Sequence, residues 1–143
     1  MRVVVDTNVL VSALLSPASP PAGLVTLWRE GRFTLLTSGP QLVELARVTR
    51  YPKLRSRLHP ALAGRLVNEL RDLAETVEPL AAVDVSPDPH DNYLLATASG
   101  GRAHSLVTGD KRDLLSLGIY EGALIVTVST FLATSIHQGW RNR

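Results

Sequence analysis

The stretch Arg2-Val3-Val4-Val5-Asp6-Thr7-Asn8-Val9-Leu10-Val11 decides the fold. Three consecutive valines with no polar residue among them predict a strand buried on both faces, as in the interior of a parallel sheet. Asp6 falls where that strand should end, and the apolar run 9–15 can start a helix directly after it. In open parallel α/β sheets, ligands bind beyond the carboxyl ends of the strands, where the following loops diverge and leave a crevice. That makes Asp6 a candidate active-site residue.

The same design returns near the other end of the chain. Residues 103–108 form a short apolar strand candidate, and Thr108-Gly109-Asp110 places a second Asp at its end, with the start of a short helix at 111–115. Two strands of one small parallel sheet, each ending in Asp, would bring two carboxylates to one edge. Between them lie further elements. Ser16-Pro17-Ala18-Ser19-Pro20-Pro21 reads as a loop, and residues 21–30 as a helix with Leu24, Leu27 and Trp28 on one stripe. Residues 33–37 read as a strand. Ser38-Gly39-Pro40-Gln41 then has the form of a capping box, with Ser38 capping the next helix and Gln41 reaching back.

That capped helix carries Glu44 at the edge of a face formed by Leu42, Leu45 and Ala46. A lone helical Glu is ordinarily solvated, but this helix follows a strand, so its start shares the sheet edge with Asp6. From 47 to 65, Arg47, Arg50, Lys53, Arg55, Arg57 and Arg65 occur with no acid among them and with Tyr51 and His59 interleaved. Such a stretch suits a nucleic-acid backbone, because phosphates supply most of the affinity and rings can stack on bases; a solvated loop between helices fits it equally. A long helix is expected over 61–75, with Leu62, Leu66, Leu70 and Leu73 or Ala74 inward and an ordinary charged outer face. The segment Asp88-Pro89-His90-Asp91-Asn92 leads a further helix. Its acids can serve as caps, favoured by the helix dipole, or can join Asp6 and Asp110. A last strand is expected over 123–128, a last helix over 129–138, and a loose tail over 139–143.

Whole-chain properties narrow the function. The chain has 143 residues, 45% hydrophobic and 20% charged, as expected of one globular domain over 1–138. It contains no cysteine, which excludes disulfides and thiolate metal sites and suits a reducing cytoplasm. Asp6 and Asn8 interrupt the apolar start, and no run approaches the ~20 residues of a membrane span, so a cytoplasmic protein is expected. Net charge is +2, but gathering four of the 13 acids into one site leaves 15 basic against nine acidic groups elsewhere. Such a surface suits a polyanionic partner.

Four carboxylates in one pocket repel one another and need protons or cations to coexist. Mg²⁺ or Mn²⁺ would solve this with oxygen ligands and retained waters, and would activate a water against a phosphodiester.

The motifs Val5-Asp6-Thr7-Asn8-Val9, the capped helix with Glu44, Asp88-Pro89-His90-Asp91-Asn92 and Val107-Thr108-Gly109-Asp110-Lys111 occur in an order and spacing that resembles the PIN-domain endoribonucleases, in particular the VapC-like toxins of toxin-antitoxin pairs. The resemblance spans nearly the whole chain. It implies a three-layer α/β/α sandwich on a mostly parallel sheet, a Mg²⁺ or Mn²⁺ site and RNA as substrate. It also implies a homodimer and a cognate antitoxin that blocks the acidic pocket. Carried over by position, Asp6, Glu44, Asp91 and Asp110 are the catalytic and metal-binding quartet, with Asp113 as a further candidate ligand. Asn8 and Thr108 would orient carboxylates or water, and Arg47, Arg50, Lys53 and Arg55 would contact RNA. The sequence departs from the pattern at His90, where relatives often carry another acid, so neither His90 nor Asp88 is counted among the ligands. A housekeeping RNA-processing nuclease, or a catalytically silent RNA-binding scaffold, remains as an alternative to the toxin.

Overall fold

The computed structural model describes residues 1–109 and 112–135. Strands β1 (Arg2–Val5), β2 (Thr34–Thr37), β3 (Glu75–Thr76), β4 (Ser105–Thr108), β5 (Ile119–Tyr120) and β6 (Ala123–Thr127) form one sheet in the order β3-β2-β1-β4-β6-β5. All neighbouring pairs are parallel except β5 with β6. Helices α1 (Thr7–Leu15), α2 (Pro20–Arg29), α3 (Gly39–Val48), α4 (Pro52–Arg55), α5 (Pro60–Leu73), α6 (Pro89–Gly100), α7 (Arg112–Leu115) and α8 (Val128–Thr130) connect them, and a π-helical turn follows at Phe131–Ser135.

The valines of β1 are buried completely or nearly so, and their alternation divides the core. Val3 and Val5 pack into a cluster with Leu10, Leu24, Trp28, Leu45, Leu66 and Phe131 on one side of the sheet. Val4 packs with Leu36, Leu94, Leu95, Ala98 and Leu106 on the other. Helices on both faces of a mostly parallel sheet make a three-layer α/β/α sandwich, the arrangement in which strands lose polar faces and read as continuous apolar runs.

From β1 the chain winds to β2 and β3 on one side, then returns to β4 on the other. The strand order therefore reverses at β1, and the crevice beyond the carboxyl ends of β1 and β4 is the switch point where such sheets bind ligands. Val5 is in register with Val107, and the Asp6 amide donates to the Val107 carbonyl at 2.8 Å.

Several local expectations change. The α5 helix buries Ala63, Leu66, Val67 and Leu70, whereas Leu62 and Leu73 are exposed. Its inner stripe is thus rotated from the leucine row: Val67 joins Leu66 and Leu70 in the cluster that includes Leu45 of α3, while the two ends of the row stay outside. It also stops at Leu73, releasing Glu75 and Thr76 to pair with β2. Strands β3 and β5 have two residues each, too short for periodicity to register. Arg29 donates to both carboxylate oxygens of Glu69, at 2.8 and 2.7 Å, tying α2 to α5. Residues 128–135 form the α8 turn and the π turn instead of one regular helix, and Phe131 packs edge-on against Phe33. The expected continuation to 138 and the tail lie outside the described residues. No single helix among the described residues is long and apolar enough to cross a membrane.

Candidate active site

Asp6 ends β1 and caps α1: its Oδ1 accepts the Asn8 amide at 3.1 Å. Its Oδ2 accepts the Thr108 hydroxyl at 3.0 Å, across the gap from the end of β4. His90, in the first turn of α6, brings Nε2 to 3.3 Å from Oδ1. Asp6 is 0% exposed. Burial alone would raise its carboxyl above the ordinary carboxylate range, but hydrogen bonds from His90, the Asn8 amide and Thr108 outweigh this and hold it below that range. The anionic form of this buried carboxylate is thus favoured at the switch point, with His90 Nε2 facing it.

His90 also lines an open cleft of about 700 Å³ beside this junction, with Asn8, Pro40, Val43, Glu44, Arg47, Asp88, Pro89 and Tyr93. Glu44 is half-buried on the cleft wall and pairs with Arg47 one turn along α3. Arg47 in turn donates to the Tyr51 hydroxyl and lies over the Tyr51 ring. Tyr93 bonds through its hydroxyl to Thr7 Oγ1 at 3.1 Å and packs edge-on against the His90 ring. Burial pushes the Tyr93 hydroxyl well above its usual value, with the Thr7 hydrogen bond opposing and the negative charges of Glu44 and Asp6 reinforcing the shift.

The sequence-predicted residues are not all brought together. Asp6, Thr108, Asn8 and Glu44 gather around the junction and cleft, Asn8 reaching Asp6 through its backbone amide. Asp91 is 1% exposed, is not among the cleft-lining residues and accepts the Ser86 hydroxyl at 2.9 Å. Asp88 caps α6 through the His90 amide at 2.9 Å and lines the cleft. Asp113 is exposed on α7 and is not among the lining residues. Asp110 lies outside the described residues. Of the basic set, Arg47 lines the cleft, while Arg50, Lys53 and Arg55 are exposed at the end of α3 and on α4.

The expected capping box does not form. Ser38 occupies the N-cap position of α3 but makes no capping hydrogen bond, and its hydroxyl is buried without a partner. Gln41 turns inward instead: Thr37 donates to its Oε1 at 2.7 Å, and its Nε2 donates to the Val5 carbonyl at 2.6 Å. The side chain that should have closed a local cap braces the strand carrying Asp6. His90 and Tyr93 were also absent from the sequence-derived site. Their i, i+3 spacing in a helix starting at the same sheet edge was the available signal.

Carboxylate oxygens and one imidazole nitrogen suit a hard or borderline divalent ion in kind. Among the described residues no three His, Asp or Glu side chains converge to hold one; they contribute the Asp6–His90 pair, with Glu44 on the adjoining wall.

The PIN domain profile matches residues 2–112, from β1 to the start of α7. An uncharacterized protein, MJ1680, of Methanocaldococcus jannaschii is 31% identical over 118 residues, covering 82% of this chain and 75% of that protein. No solved structure matches the chain. The match runs through β1 with Asp6, α3 with Glu44, α6 with Asp91 and the end of β4, and on that extent the chain belongs to the PIN domain family.

Proposed function

We propose that this protein is a Mg²⁺- or Mn²⁺-dependent endoribonuclease that hydrolyses RNA phosphodiester bonds, and that it acts as the toxin of a toxin-antitoxin pair. PIN domains are generally metal-dependent nucleases, and the observation that carries the reading here is Asp6, a fully buried carboxylate whose two oxygens accept hydrogen bonds at the switch point beside the cleft. The toxin role rests on the VapC-like order of motifs, and with it come the proposed homodimer and cognate antitoxin.

Asp6, Glu44, Asp91 and Asp110 would hold the ion, with Asp113 as a further candidate. A bound divalent ion would polarise the scissile phosphate and ease deprotonation of an attacking water. The chain's own groups set the stage for this. Thr108 and the Asn8 amide fix the two oxygens of Asp6, so the carboxylate needs no reorientation when substrate arrives. Arg47, paired with Glu44 on the rim, can exchange that partner for a substrate phosphate. Arg50, Lys53 and Arg55 extend the positive surface away from the cleft and would grip flanking phosphates.

The test is mapping of RNA ends after incubation with purified protein and Mn²⁺ or Mg²⁺, with chelator as control. The reading expects discrete internal ends that chelator suppresses; intact RNA, or cleavage that chelator leaves unchanged, overturns it. For the toxin role, induced expression should arrest growth, and co-expression of a small protein encoded immediately upstream should relieve the arrest.

A further inference from the structure

We propose that the recess between residues 80–84 and helix α6 is a nucleobase pocket, which takes one unstacked base of an RNA strand lying in the cleft. The inference rests on RNA as the substrate and involves no metal. Pro89 and Tyr93 line the cleft and also a second, smaller cavity of about 260 Å³, so this stretch of α6 is a wall common to both. A strand whose backbone follows the cleft can pass one base over that wall. The smaller cavity lies below the roughly 300–1,000 Å³ of drug-sized ligands, which suits a single ring system and is too small for a partner helix.

An unstacked base needs apolar surface for its ring faces and hydrogen-bonding groups for its edge. Both are present. Leu80 and Val83 pack against the core cluster beneath α6, and with Ala96 and Tyr93 they form the apolar walls. Tyr93 is held in place, its hydroxyl by Thr7 and its ring by His90. The polar side comes from Asn92. Its Oδ1 accepts the Val85 and Ser86 amides at 3.1 and 2.9 Å, and its Nδ2 donates to the Ser86 carbonyl at 2.8 Å. An amide nitrogen carries two hydrogens, so one donor on a fixed side chain is left for a base. Residues 81–84 add main-chain groups, because they belong to no helix or strand and their amides and carbonyls make no hydrogen bond among the described residues.

The test follows the amide resonances of the full ¹⁵N-labelled chain during titration with hexauridylate, hexacytidylate and hexaadenylate, with chelator present to keep the RNA intact. One of the three should bind about tenfold more tightly than the weakest, the scale on which base-edge hydrogen bonds discriminate. It should also move the Asn92 side-chain amide and the amides of residues 81–84. Ala81→Ile fills the pocket from an exposed position and should make the three affinities nearly equal, while the cleft resonances of Asn8 and Arg47 still shift. Cleft resonances that move with all three hexamers while Asn92 and 81–84 stay still overturn the inference and leave the RNA reading standing. A preference that survives unchanged in folded Ala81→Ile also overturns it. No shift anywhere in wild-type protein overturns this inference and the RNA reading together.

Discussion

Two strand-to-helix junctions lie side by side at one edge of the sheet and solve the same problem differently. After β1, Asp6 caps α1 with one carboxylate oxygen and binds Thr108 with the other. After β2, Ser38 stands in the equivalent place and caps nothing, while Gln41 reaches across to the Val5 carbonyl. Asp6 meets local and tertiary demands at once because a carboxylate has several acceptor sites. Ser38 and Gln41 match the local cap pattern, but the buried amide finds two strong partners, Thr37 beside it and the Val5 carbonyl on the next strand, and that outcome wins. The first junction carries the buried carboxylate and the second braces the strand that bears it.

Three variants can break or sharpen this division. The largest effect concerns the helix that the second junction launches. If α3 and its extension grip substrate and do no chemistry, replacing Arg50, Lys53 and Arg55 together by Ala should flatten the salt dependence of RNA binding by up to ~3 in log–log slope, at about 0.7–0.9 per phosphate contact. Cleavage at saturating RNA should stay close to wild type; an unchanged slope would make the stretch a solvated surface. Next, Gln41→Ala leaves the Val5 carbonyl and the Thr37 hydroxyl without their partner. It should cost about 1–3 kcal/mol, seen as a melting temperature lower by roughly 3–10 °C. Smallest is Ser38→Ala. A conventional cap would lose about 1 kcal/mol, but a hydroxyl without a partner should give a change within about 0.5 kcal/mol in denaturant unfolding. A loss of a full cap's worth would show that Ser38 caps α3 after all.

Much of this architecture could be read from the residues. The triple valine ending in Asp6 and its echo ending at Thr108 specify two buried parallel strands, because nothing but a sheet covered on both faces accommodates them. The register that joins them through the Thr108–Asp6 hydrogen bond follows from that pairing. What could not be read was tertiary in origin. Whether Gln41 turns to its own helix or to β1 depends on the distance to Val5, 36 positions away. The burial of Ala63 and Val67 in place of Leu62 and Leu73 depends on how α5 packs against α3. His90 is not counted in the site from sequence because no local pattern separates a solvated histidine from one facing a carboxylate 84 positions away. Asp110 completes the sequence argument but lies outside the described residues, so Asp6, Glu44 and the His90 contact carry the structural part.

The central claim is that the Asp6 carboxylate is needed for chemistry beyond its structural role. Asp6→Asn tests it most directly, because Asn is also a good cap and keeps the shape of the side chain. Single-turnover RNA cleavage with Mn²⁺ should fall on the order of a thousandfold, while the melting temperature of the same preparation stays within a few degrees of wild type. Cleavage undiminished in a folded Asp6→Asn protein would contradict the account.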